Sequence, residues 1–294
     1  MMIKRFILAA AAAVFTVLSS AQPVNYPLPQ NPDSLRILVI ANSYGDDSTQ
    51  WLPDLLEAAD IHNVTIARLY IGGCSLERHC REYQNRTENY RYQKTVDNKW
   101  TTVSTKTGIL TGLEDEPWDI VTIHERSGYS GDYSHFVPWA GELIKIIRAH
   151  CPNPKATIVW NRTWAYARSS KHKDFPRYGN NQMIMYRGIV ECSNRVREEY
   201  NIPVMIPTGT AVQNARWTRG LADGKDLLRD GYHLNKGYTR YLAACTWFEA
   251  LIRPVFGKSV KGNAFRMQGT EYEITPKMSR KLQGIAIRTV REEK

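Results

Sequence analysis

The chain lacks most of the signatures that narrow a protein's chemistry at once. Its five cysteines, Cys74, Cys80, Cys151, Cys192 and Cys245, contain no CxxC pair, which speaks against a cysteine-held zinc site. It has no HExxH and no two-metal spacing of acids and histidines. Nucleic-acid-binding motifs are missing as well. The formal net charge is +10, but the Lys and Arg are spread through the chain with no dense run outside Lys277–Lys281, the pattern of a basic soluble surface. Internal repeats, linkers and low-complexity stretches are absent. The apolar run at residues 6–18 is short for the roughly 20 residues of a bilayer span, and no other segment is long and apolar enough.

What stands at the start is Met-Met-Ile-Lys-Arg, an apolar run from Phe6 to Leu18, and then Ser19-Ser20-Ala21 before Gln22-Pro23. A basic start, a short apolar centre and small residues before a cleavage point are the layout of a secretory leader. Residues 1–21 are therefore read as a signal peptide, and a periplasmic or secreted location with no stable membrane insertion afterwards is expected. Residues 22–294 suit one domain. A hydrophobic fraction of 43% with 11% aromatics is globular in character. An odd number of cysteines leaves at least one thiol unpaired. Cys245, inside an apolar helical run, reads as buried, and a local pairing of Cys74 with Cys80 stays open.

Strand-like and helix-like segments alternate along the chain. The run Leu35–Ala41 is nearly all apolar, as a central parallel strand requires. Further strands are expected at Val64–Tyr70, Trp118–Ile123, Ala156–Trp160 and, shorter, Pro203–Ile206. Helices are expected at Gln50–Ala59, Trp139–His150, Asn181–Tyr200, Gly237–Ile252 and Pro276–Val290. The pattern predicts a three-layer α/β/α sandwich around a mostly parallel five-stranded sheet. Residues 90–107, with a turn signal at Asp97-Asn98, read as an inserted hairpin over a helix, and the last helix as a C-terminal extension.

In open α/β sheets ligands bind beyond the carboxyl ends of the strands, and the candidate residues fall there. Ser43 directly follows the first strand in Ala41-Asn42-Ser43-Tyr44-Gly45. Such a Ser is equally suited to capping a helix. Gly72-Gly73-Cys74-Ser75 follows the second strand, where a glycine lets a backbone N–H approach a developing oxyanion. His124-Glu125-Arg126-Ser127 follows the third and offers a polar oxyanion donor. Asp230-Gly231-Tyr232-His233 stands before the last core helix. An Asp three residues ahead of a His can orient the imidazole so that its other nitrogen takes a serine proton.

Taken in this order, the residues resemble the SGNH (GDSL-like) hydrolase superfamily, in a bacterial branch met among exported glycan-processing proteins. The carriers are Ile40–Tyr44, Tyr70–Glu77, Thr163–Tyr166, Pro207–Thr210, Asp230–Leu234 and Ala244–Phe248, spread from about Leu35 to Asn263. The resemblance implies the flavodoxin-like SGNH fold, Ser43 as nucleophile, His233 as general base and Asp230 as its orienting carboxylate. It implies the Ser43 and Gly73 amides as oxyanion donors. At the third oxyanion position, where relatives carry Asn or Gln, this chain has His124 with Glu125 beside it. A neutral His donates one hydrogen bond and can fill the role.

The expected reaction is acyl-ester hydrolysis, with an O-acetylated carbohydrate as the leading substrate class and a small ester behind it. No metal or organic cofactor and no nucleic acid enter. Glu125, Trp164, Tyr166 and Tyr232 are the expected substrate contacts. Trp100 and Trp217 are further candidates for stacking on a sugar, whereas Trp160 and Trp247 read as core. Two other readings compete: a catalytically silent carbohydrate-binding protein on the same fold, and a metal-dependent hydrolase built from His124, Glu125, Asp230 and His233.

Overall fold

The computed structural model describes residues 25–30, 32–221 and 227–293, so the expected leader lies outside the described residues. In chain order the elements are β1 (Leu35–Ala41), α1 (Ser43–Thr49), α2 (Leu52–Ala58), β2 (Val64–Tyr70), α3 (Leu76–Gln84), β3 (Tyr90–Val96), β4 (Lys99–Thr107), α4 (Ile109–Glu114) and β5 (Ile120–Ile123). They continue with α5 (Trp139–His150), β6 (Thr157–Asn161), α6 (Gln182–Glu199), β7 (Val204–Ile206), α7 (Thr208–Trp217), α8 (Tyr238–Trp247), α9 (Arg253–Phe256) and α10 (Pro276–Glu292).

The sheet has the order β4-β3-β2-β1-β5-β6-β7. Five of these strands, β2, β1, β5, β6 and β7, run parallel, the arrangement expected from the sequence. β1 sits among them with both faces covered. Its odd residues Ile37 and Val39 enter one core with Leu55, Tyr241, Trp247 and Ile285, and its even residues Leu38 and Ile40 enter the other with Leu113, Leu143 and Val196. This period-two division of a nearly all-apolar run is what makes the fold three-layered. A third apolar cluster, with Tyr44, Trp164, Tyr166, Phe175, Met185 and Leu234, involves residues that follow β1 and β6. α10 belongs to the first core and is pinned near its end. There Arg162, from beyond β6, donates to both oxygens of Glu293 at 2.5 and 2.7 Å.

The hairpin differs from expectation in its placement. β3 pairs antiparallel with β2, Leu69 opposite Tyr92, and β4 with β3, so the hairpin widens the sheet to seven strands, while Asn98 at its turn donates to Glu57 of α2 at 2.9 Å. The buried rings of Tyr90 and Tyr92 give β3 an inward face. The Asp97-Asn98 turn has positive φ at both residues, 48° and 54°, as a tight two-residue hairpin needs. The sequence also left unassigned the helices α1, α3, α4, α7 and α9. All five cysteines are free and buried. Among the described residues no helix is long and apolar enough to cross a membrane.

The Pro207-Thr208-Gly209-Thr210 motif has a packing explanation. The Gly209 amide donates to Arg162 O at 2.8 Å, and a Cβ at this position would lie 1.8 Å from Thr163 O. Backbone on both sides leaves no flexible group to yield. Gly209→Ala is expected to destabilise the fold by at least about 2 kcal/mol, read as the midpoint of urea unfolding. A midpoint unchanged from the parent chain would contradict this close approach.

Candidate active site

β1, β2 and β5 are neighbours in the sheet, so the segments following them emerge side by side. Asn42 caps α1 and joins all three. Its Oδ1 accepts the Tyr44 amide at 2.9 Å and faces His124 Nε2 at 3.1 Å, while its Nδ2 donates to Cys74 O at 2.9 Å. Asn42 is buried. Ser43 follows as the first residue of α1 and is half-buried. Among the described residues, neither its hydroxyl nor its amide has a hydrogen-bond partner. Gly73, exposed, has a φ of +61° with nothing within 4 Å of a notional Cβ, and its amide too is free of partners. Two backbone N–H groups are thus available on the loops after β1 and β2.

The Asp230–His233 turn is closed on itself. The Asp230 Oδ1 accepts the Tyr232 and His233 amides at 3.1 and 2.7 Å, and Oδ2 lies 2.6 Å from His233 Nδ1. Partial burial works to raise the Asp230 pKa, but these hydrogen bonds from His233 and Tyr232 outweigh it and hold the carboxyl below its usual range. The ionised carboxylate fixes a hydrogen on Nδ1 and leaves Nε2 as a free base. The His233 ring lies edge-on to Tyr44, centroids 6.2 Å apart, which places the imidazole beside the residue that follows Ser43.

Four of the expected site residues, His124, Glu125, Trp164 and Tyr166, need correction. His124 was assigned as an oxyanion donor, but it is 1% exposed and its ring fills the space a Gly45 side chain would take, Cε1 2.9 Å from the notional Cβ. Its tautomer follows from Asn42. The amide orientation is set by a donor on one side and an acceptor on the other, so Oδ1 faces Nε2 and Nε2 must carry the hydrogen. Nδ1 is buried and without a partner. Burial lowers the His124 pKa to about 4, so the ring is neutral and has no second hydrogen to offer an oxyanion. Its role is to orient Asn42.

Glu125 was assigned as a substrate contact and is likewise 1% exposed. Its carboxyl accepts the Arg126 amide at 2.6 Å and lies 3.4 Å from the Leu76 amide, tying the segment after β5 to the start of α3. Burial raises its pKa to about 8. Trp164 and Tyr166, both fully buried, are structural too. Trp164 stacks on Tyr44 at 3.9 Å and donates to Tyr232 O, and the Tyr166 hydroxyl meets Ser127 Oγ at 2.9 Å.

Of the expected contacts, Tyr232 keeps an exposed part beside His233, the two rings 4.2 Å apart. His172, which no sequence motif marked, packs 4.7 Å from Tyr232 and 4.6 Å from Tyr166. Trp100 lies under the Arg68 guanidinium at 3.5 Å, and Trp217 is exposed. Among the described residues no group of three or more His, Cys, Asp or Glu is placed to hold a metal ion.

The chain belongs to the family described as DUF4886, a domain of unknown function, whose model matches residues 36–278. It is similar to the crystal structure of a DUF4886 family protein from Bacteroides uniformis, at 34% identity over 89% of this chain and 96% of that one, with a TM-score of 0.79. More distant likenesses include a Slackia heliotrinireducens protein assigned provisionally as an SGNH hydrolase, at 19% identity over 74% of this chain and 99% of that one, TM-score 0.49. Another is the acetylxylan esterase Axe2 of Geobacillus stearothermophilus, at 12% identity over 76% and 96%, TM-score 0.47. No curated protein matches the chain in sequence.

The buried groups around the site set opposite limits on pH stability. His124, and His79 with its pKa lowered by burial to about 3, bind fewer protons folded than unfolded, so stability is lost as pH falls below about 6.5 toward 4. Glu125, with a raised pKa, binds more protons folded than unfolded, so its contribution is complete below about 4.5 and lost as pH rises through about 8. Glu125→Gln, which keeps the shape without the charge, is expected to flatten the loss of stability between pH 5 and 9. Thermal unfolding of both chains across that range measures it; parallel curves would show that Glu125 stays ionised in the fold.

Proposed function

We propose that this DUF4886 chain is an exported serine esterase, with Ser43 as nucleophile, His233 as general base and Asp230 as its orienting carboxylate. The observation that carries the reading is the 2.6 Å contact of Asp230 Oδ2 with His233 Nδ1, in a turn lying against the helix that Ser43 begins. His233 Nε2 takes the Ser43 proton as Oγ attacks the ester carbonyl. The tetrahedral oxyanion is received by the Ser43 and Gly73 amides, which are free to donate. The imidazolium, steadied by Asp230, then protonates the leaving alcohol, and water repeats the sequence on the acyl-enzyme. The unmade Ser43–His233 hydrogen bond is compatible with this, because such contacts often close only around substrate.

The substrate class we infer is an O-acetylated carbohydrate. Tyr232 and His172 form an aromatic edge next to His233 suited to the apolar face of a sugar ring. The leader-like start agrees with an extracytoplasmic glycan as target.

Release of acetate from acetylated oligosaccharides, and of p-nitrophenol from its acetate, tests the proposal. Ser43→Ala is expected to lower turnover by at least about 10³-fold, and a fluorophosphonate to label the parent chain once, at Ser43. A parent chain that turns over none of these esters and resists the label would favour the silent carbohydrate-binding reading.

A further inference from the structure

Asp47 lies four residues after Ser43 on α1 and its carboxylate is 2% exposed. Four donors make five contacts with it. Oδ1 accepts Arg240 Nε at 2.8 Å, with Arg240 Nη2 alongside, and Arg229 Nη1 at 3.1 Å. Oδ2 accepts the Leu234 amide at 2.8 Å and Arg229 Nη1 at 3.0 Å. Arg229 and Leu234 flank the Asp230–His233 turn on its two sides. They form its neck, closed by the Leu228–Leu234 bridge, by Arg229 N donating to His233 O at 2.9 Å and by Asn235 N donating to Leu227 O at 3.0 Å. The Arg229 guanidinium also donates to Leu234 O across the neck. The turn is therefore a rigid unit, and Asp47 grips it at the base.

We propose that Asp47 is a positioning residue of the catalytic site: from the nucleophile's own helix it clamps the neck of the turn that carries His233, and so sets the approach of the imidazole to Ser43. The proposal rests on the triad reading above. Nucleophile and base come from segments nearly two hundred residues apart, and their relative placement has to be fixed through space. Arg240, at the start of α8, provides a third anchor. A carboxylate suits the position because it accepts from a main-chain N–H and two guanidinium groups together, which a neutral side chain of that size cannot do. A displacement of about 1 Å between reacting groups can cost about 10²-fold in rate.

Asp47→Asn keeps the size and one acceptor oxygen but leaves two guanidinium groups short of their counter-charge. In the full chain, under conditions where circular dichroism shows the variant as folded as the parent, kcat on p-nitrophenyl acetate is expected to fall about 10- to 100-fold. KM should stay within about twofold, and fluorophosphonate labelling of Ser43 should slow by the same factor as kcat. Arg240→Gln removes one anchor and keeps the Leu234 and Arg229 contacts, and a smaller loss of about three- to tenfold is expected; it decides the matter on the same criteria if the Asp47 variant does not fold. Unchanged kcat in folded variants, or a loss that only tracks the folded fraction, would overturn the positioning role. Ser43→Ala run alongside separates the two readings. If it turns over substrate like the parent, the triad itself is wrong; if it is dead while Asp47→Asn is fully active, only the role of Asp47 falls.

Discussion

The site depends on one buried amide. Asn42 holds the loops after β1, β2 and β5 to one another through its three hydrogen-bonding directions, and in doing so it caps the helix whose first residue is Ser43. A side chain with only a donor or only an acceptor could not do this, since Cys74 O needs a donor while Tyr44 N–H and His124 Nε2–H need an acceptor. Because Asn42 is buried, none of these contacts competes with water, and each would cost the desolvation of both partners if unmade. The orientation of Asn42 in turn dictates the His124 tautomer. A histidine that looks in sequence like a substitute oxyanion donor thereby becomes the support of the residue that ties these three loops together.

The fold was largely legible because it rests on short-range signals. The nearly all-apolar run of β1 and the alternation of strands with amphipathic helices mark a doubly covered parallel sheet, and α5 has the bounds expected from its periodicity. Asp230 and His233 were legible for the same reason: their contact is made within one turn, so their spacing carries the geometry. The hairpin was visible as two strands and a turn, but its partner was not. Strand pairing between β2 and β3 is a long-range choice that the local pattern does not encode.

What the sequence could not separate was a polar or aromatic residue facing substrate from the same residue facing the interior. Glu125, Trp164 and Tyr166 all lie just beyond strand ends, where ligands bind, and their chemistry suits a ligand. Each is instead consumed by the scaffold: Glu125 by the amides of Arg126 and Leu76, Trp164 by the Tyr44 ring and Tyr232 O, Tyr166 by Ser127. The third apolar cluster supplies the reason. It raises a third, smaller core beyond the strand ends, so residues that would line an open mouth in a plainer sheet are here walled in.

The same crowding explains the charges in that region. A loop bearing the general base proposed above must be both exposed, to reach a substrate, and immobile, to stay in register with the proposed nucleophile. Apolar packing alone cannot meet both demands at Asp230–His233, because the turn has no apolar face of its own apart from Leu234 and part of Tyr232. Directional contacts can, and Asp47 supplies them from below while Asp230 supplies them within the turn. Burying such a carboxylate among two guanidinium groups is at best neutral for stability compared with apolar residues of the same volume. The arrangement is therefore better understood as geometry than as glue: an ionic clamp accepted at little or no gain in stability, at the one junction where the placement of a side chain outweighs the strength of its packing.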